Sequence, residues 1–130
     1  MPVPLSSSRI RERGFNQSEI IAREFAALSR IPVDNKALKR IKPTPSQTKL
    51  KRRKRRENIA GAFACPNPVV IAGKNLLLID DVYTTGSTLN ECAKTLITAG
   101  ATSRVAAARR AASAHAARHS RPAARGVSSC

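Results

Sequence analysis

The chain has 130 residues, with 24 lysines and arginines against 8 acidic residues, a formal charge of +16, and a hydrophobic share of 42%. That is room for one modest domain whose core is aliphatic, because aromatic residues make up 3% and tryptophan is absent. The charge points to an anionic partner (nucleic acid, a phosphorylated ligand or an acidic protein surface) without choosing among them. No apolar run approaches the roughly 20 residues of a membrane span.

Cys65, Cys92 and Cys130 are scattered and form no C-x-x-C pair, so neither a zinc ribbon nor a redox motif is indicated. An odd cysteine count without a secretory signal predicts a reducing, cytoplasmic location.

Residues 2–6, Pro-Val-Pro-Leu-Ser, read as the tail of a strand. Arg9, Arg11 and Arg13 alternate with Ile10 and Glu12 as far as Gly14, which reads as a basic loop. Phe15 to Arg30 is predicted to be a helix. Asn16 or Ser18 can cap it, Ile21, Phe25 and Leu28 share its apolar face, and Arg23 and Glu24 face solvent. Pro32 ends it. Val33 to Ile41 reads as a strand closed by Pro43 and Pro45.

Then come Ser46 to Leu50 and the run Lys51-Arg52-Arg53-Lys54-Arg55-Arg56. Such a block is a solvated, mobile segment or a phosphate contact. Glu57 to Phe63 returns to ordered structure, Pro66 and Pro68 mark a turn, Val69 to Ile71 reads as a short strand, and Ala72 to Asn75 as another turn.

The most informative stretch is 76–88, Leu-Leu-Leu-Ile-Asp-Asp-Val-Tyr-Thr-Thr-Gly-Ser-Thr. Four uninterrupted apolar residues predict a strand buried on both faces. Two adjacent carboxylates, Asp80 and Asp81, follow, and then a hydroxyl-rich turn of Thr84, Thr85, Gly86, Ser87 and Thr88. Leu89, Ala93, Leu96 and Ile97 have helical spacing, and Gly100 stands where a C-cap belongs.

Ligands of open α/β sheets bind beyond the carboxyl ends of strands. A glycine turn opening a helix offers backbone N–H groups and partial positive charge to phosphate. Carboxylates suit sugar hydroxyls, or a Mg²⁺ shared with other ligand groups. The unit therefore fits a sugar phosphate, although two aspartates can also merely end a strand and cap a helix. There is no Walker loop and no dinucleotide fingerprint.

Arg104 to Ala108 reads as the next parallel strand. Residues 109–130, rich in Ala, Arg and Ser, are predicted to be disordered, because they cannot bury enough apolar surface. His115 and His119 have the spacing of a helical metal pair, with no third ligand nearby in sequence.

Residues 76–88 resemble the phosphoribosyl-pyrophosphate (PRPP) motif of type I phosphoribosyltransferases. Arg13-Gly14-Phe15-Asn16-Gln17 resembles a signature of the ComF family, phosphoribosyltransferase-like proteins linked to DNA uptake in bacterial competence. Gln47, Leu50, Arg55, Arg56, Asn58, Ala62 and Phe63 match that family's middle segment, and Pro2 to Leu5 match the end of its first core strand.

The resemblance covers residues 2 to about 105. It implies an α/β fold, a type I phosphoribosyltransferase-like parallel sheet flanked by helices, over residues 1–108. Relative to the family pattern, the chain is expected to lack a Cys-rich N-terminal segment and part of the first strand, and to diverge beyond Arg104. The two chain ends keep open the reading that this is a non-functional fragment of such a protein.

By the same resemblance, Asp80 and Asp81 are the catalytic carboxylates holding the ribose hydroxyls, and Thr84, Thr85, Gly86, Ser87 and Thr88 bind the 5-phosphate. Pro4, Leu5 and Ser6 lie at the pyrophosphate, and residues 43–63, with Arg55 and Arg56, form a mobile loop that closes over it. Mg²⁺ comes with PRPP rather than through a dedicated protein site. Two functional readings follow: transfer of phosphoribosyl from PRPP to an amine or base, or a non-catalytic basic accessory binding single-stranded DNA or DNA-uptake proteins.

Overall fold

The structure, a computed structural model, describes residues 1–43, 57–82 and 85–102 and the backbone of 105–109. Helices α1 (Ser7–Arg13) and α2 (Gln17–Ser29) come first, followed by a short antiparallel pair, β1 (Lys39–Arg40) and β2 (Phe63–Ala64). Strand β3 (Leu76–Asp80), helix α3 (Ser87–Thr98) and strand β4 (Val105–Arg109) complete the mixed α/β arrangement.

The apolar run Leu76–Ile79 forms β3 as expected, and the strand continues through Asp80. β4 pairs with it in parallel, in register from Leu76 with Val105 to Asp80 with Arg109. On the other edge, Ile79 N–H donates to Met1 O at 3.0 Å and Val3 N–H donates to Ile79 O at 2.9 Å. Pro2, which has no N–H to lose, forms the bridge between those two bonds. Backbone pairs with β3 on both edges, and helices α2 and α3 pack on it, so its residues can be apolar without interruption.

Helix α3 packs on β2, β3 and β4. Leu89, Cys92 and Leu96 are its buried stripe, at i, i+3 and i+7, whereas the expected Ile97 is exposed and Ala93 half-buried. Gly100, at φ +101°, ends it: Gly100 N–H donates to Ile97 O and Ala101 N–H to Leu96 O, both at 3.0 Å. This is the Schellman closure that the sequence indicated. The core joins Leu78, Leu89, Cys92 and Leu96 to Val3, Leu38, Ile59, Phe63 and Ile71.

Three sequence expectations are corrected. The basic loop at 9–14 is helix α1: Ser6 caps it, its hydroxyl accepting Arg9 N–H at 3.4 Å, and Gly14 at φ +78° closes it. With Ile10 as its one apolar residue, and that exposed, the helix gives no apolar period to read.

The expected strand Val33–Ile41 shrinks to Lys39–Arg40, because Asp34 Oδ1 accepts the N–H groups of Lys36 at 2.8 Å and Ala37 at 2.9 Å and folds that segment into a turn. Val69–Ile71 is not a strand: Pro68–Val70 is a 3₁₀ turn in which Pro68 O accepts from Ile71 and Ala72.

The helix expected over Phe15–Arg30 is present as α2, capped by Asn16, whose Oδ1 accepts Ser18 N–H at 3.1 Å. Its buried stripe differs from the expectation. Ser18 and Ala22 are buried against β3, whereas Phe25 is exposed and Leu28 is 88% exposed. Among the described residues no helix is long and apolar enough to cross a membrane.

Candidate functional site

Asp80 is the last residue of β3, and Asp81 leaves the strand beside it. Asp80 is 7% exposed, and Asp81 is half-buried. Burial, then the neighbouring Asp81 charge and a hydrogen bond between the two carboxyl groups, push Asp80 from its ordinary 3.8 up to about 6, against the opposing hydrogen bonds from the Val82 and Asp81 N–H groups. At neutral pH such a group is ionised, but only by a small margin. It is an acceptor poised for hydroxyl donors.

Ser18 reaches this junction from α2. Asp81 N–H donates to Ser18 Oγ at 3.1 Å, and Oγ stands 3.1 Å from Asp81 Oδ1 and 3.5 Å from Asp80 Oδ1. The first turn of α2 is tied down by Asn16, whose Nδ2 donates to Val3 O at 3.0 Å. The buried Cys92 thiol of α3 has its proton affinity raised by burial and then by the Asp80 charge, while Arg40 acts the other way.

The turn into α3 passes through Thr85 and Gly86, with Gly86 at φ +72° as N-cap and no capping side chain on it. Thr85 Oγ1 and Ser87 Oγ are hydrogen-bonded at 2.7 Å, and Ser87 N–H donates to Thr85 Oγ1 at 3.4 Å. Ser87 is buried, whereas Thr88 is half-buried. Two of the predicted phosphate hydroxyls thus hold each other and shape the turn. Tyr83 and Thr84 lie outside the described residues, as do Arg55, Arg56 and the charge run around them.

A cavity of about 270 Å³ opens beside α1, lined by Ser6, Ser7, Ser8, Arg11, Arg40, Ile41, Lys42 and Pro43. Of the three residues expected at a pyrophosphate, Ser6 lines it, and Pro4 and Leu5 do not. The Arg40 guanidinium lies 5.6 Å from the centroid of the Phe63 ring, and Lys42 Nζ donates to Ala60 O at 3.4 Å. Burial, then the Arg9 charge, lower the proton affinity of Arg40, which nevertheless stays cationic at any physiological pH. Among the described residues its lining carries three cations, three serines and no carboxylate, a lining chemically suited to an anion.

The sequence reading missed Arg40, Lys42 and Ser18. Each comes from a segment remote from the motif, and Ser18 is 62 positions from Asp80.

Over 97 residues, 74% of this chain, it is 38% identical to competence protein F of Haemophilus influenzae. It is 37% identical over 99 residues to the DNA utilization protein YhgH of Escherichia coli, and 32% identical over 100 residues to the competence protein ComFC of Bacillus subtilis. No family model matches the chain, and no solved structure matches it. The matched segments are 42%, 43% and 38% of those three relatives, so the chain spans less than half the length of the curated relatives it matches. On these similarities, which run through three quarters of its length, the chain belongs to the ComF family of competence proteins.

Proposed function

We propose that this chain binds a ribose 5-phosphate ligand, PRPP in the first instance, within a protein serving DNA uptake. The observation that carries the reading is the end of β3. Two carboxylates, one of them buried, stand at the carboxyl end of the central strand, and the chain then turns through a left-handed Gly86 into the start of α3. Ionised carboxylates accept from vicinal hydroxyls, and an uncapped helix start with a glycine turn suits a phosphate. The names of the relatives, competence protein F and DNA utilization protein, support the DNA-uptake context.

A type I phosphoribosyltransferase-like sheet fits a β3 paired in parallel with β4 on one edge and with residues 1–3 on the other. The pyrophosphate end of PRPP would lie toward the serine and cation cavity. Among the described residues no group of three acidic, His or Cys side chains could cage a metal, while carboxylate oxygens are donors of the kind that Mg²⁺ prefers. The carboxylate oxygens of Asp80 and Asp81 would suit a Mg²⁺ carried by the phosphates of the ligand, where it would offset their charge. Transfer to an amine or base would break the C1–O bond to pyrophosphate, which leaves with the electron pair as the acceptor nitrogen bonds to C1 and releases its proton to the departing pyrophosphate or to water. In such a step Asp80 and Asp81 hold the ribose, and Arg11, Arg40 and Lys42 offset charge on the leaving group.

The test is a thermal melt of the full chain with PRPP and Mg²⁺. At about 100 times the dissociation constant the ligand adds roughly 2.7 kcal/mol, a rise of several degrees. The rise is expected to vanish in the Asp80→Asn, Asp81→Asn double variant. An equal rise in both proteins would sink the reading.

The charge of +16 favours a second reading, a basic accessory that binds single-stranded DNA or DNA-uptake proteins without turnover. DNA affinity would then fall steeply with salt, and neutralising Lys51 to Arg56 would flatten that slope.

A further inference from the structure

Ser18 is a buried polar residue in the first turn of α2, 1% exposed, and its hydroxyl meets three groups at once. Its Oγ accepts Asp81 N–H and faces one oxygen of each carboxylate. A hydroxyl carries one proton. With a lone pair committed to Asp81 N–H, that proton serves the carboxylates, and the nearer is Asp81. One helical turn on, Ala22 fills the equivalent buried position with a methyl group. Packing of α2 on β3 therefore does not itself call for a hydroxyl at this face.

We propose that Ser18 is a positioning residue for the carboxylate pair: its hydroxyl fixes the backbone and side chain of Asp81 against Asp80, so that both present oxygens to one vicinal diol. The assignment rests on the reading that the pair receives a sugar. The geometry is set from outside the motif. Asn16 holds Ser18 N–H and the Val3 carbonyl, and Val3 is bonded in turn to Ile79, the residue before Asp80. The groups bearing on Asp80 among the described residues are Asp81 beside it and Ser18 from α2, and the Asp80 charge in turn acts on the Cys92 thiol of α3, as Arg40 does in the opposite sense.

The experiment is a carboxyl carbon NMR titration of the full chain, without ligand, read at Asp80 and Asp81. It compares the wild type with Ser18→Ala, Ser18→Thr and Ser18→Val. Donation to a carboxylate favours its ionised form, so loss of the hydroxyl moves the midpoint of the pair upward, by about one pH unit in Ser18→Ala. Thr keeps the hydroxyl and should titrate with the wild type. Val has the shape of Thr without the hydroxyl and should follow Ala. Ribose 5-phosphate affinity should fall about tenfold in Ala and Val, and not in Thr.

Coincident midpoints in Thr and Val overturn the role of Ser18, whatever the ligand does, and steric strain common to both cannot mimic the expected split. A split titration in a protein that does not bind ribose 5-phosphate supports Ser18 as the positioning residue and overturns the sugar-phosphate reading instead.

Discussion

At Asp80, function and stability pull in opposite directions. Its carboxyl is pushed from 3.8 up to about 6 by burial first and by Asp81 second, so the folded state holds the proton more tightly than the unfolded chain does. A raised carboxyl contributes its stability fully below pH 3.8, and that contribution is lost as pH climbs through about 6. The loss is about 2 kcal/mol once solvent screening is allowed for. Asp80→Asn keeps the shape and removes the charge. Its expected outcome is a higher Tm at pH 7, no change at pH 4, and weaker binding of ribose 5-phosphate; calorimetry at both pH values checks it. For the wild type, diol affinity should fall as pH drops through 6, where the acceptor takes up its proton. Gly86 and Asp81 were legible beside Asp80 because a contiguous motif carries them. Ser18 was not, since nothing in a linear string says that a helix cap 62 positions upstream will face that carboxylate.

At the scale of elements, the sequence was most reliable where one segment settles its own structure. β3 follows from Leu76–Ile79, and the end of α3 follows from Gly100. It failed where a polar contact overrode apolar pattern. Pro68 O draws Ile71 and Ala72 into a turn that three β-branched residues did not announce, and Ser6 caps a helix that reads as a basic loop. Helix α2 shows the competing principle best. Its large residues suggested the buried face, but Ser18 and Ala22, small enough for close approach, lie against β3. The two orientations predict different mutants. Leu28→Ser should change stability by less than about 0.5 kcal/mol. Ala22→Leu, at a position 1% exposed, should cost about 1–3 kcal/mol by overpacking. Urea unfolding of both variants checks the assignment, and the opposite ranking would return the helix to the face built on Phe25 and Leu28.

For the whole molecule, the charge of +16 and the cavity beside α1 belong to one problem. A chain so basic repels itself when compact, and the repulsion is strongest where cations cluster. Arg11, Arg40 and Lys42 line a single cavity, and Arg40 is half-buried there, with Arg9 near enough to lower its proton affinity. Screening should relieve that cost: the Debye length falls from about 10 Å at 0.1 M salt to about 3 Å at 1 M. The Tm is therefore expected to rise with sodium chloride. Screening alone, however, treats all anions of one ionic strength alike. An anion seated in the cavity bonds to serine hydroxyls as well as to cations, so pyrophosphate should raise the Tm further than chloride at matched ionic strength. Substituting Arg40 by Met would keep a long side chain over Phe63 and remove the charge. In that variant the excess due to pyrophosphate should disappear while the rise with chloride persists. If pyrophosphate and chloride act alike in the wild type, the cavity does not take phosphate, and the basic character serves a more diffuse electrostatic attraction, of the kind a DNA backbone would satisfy.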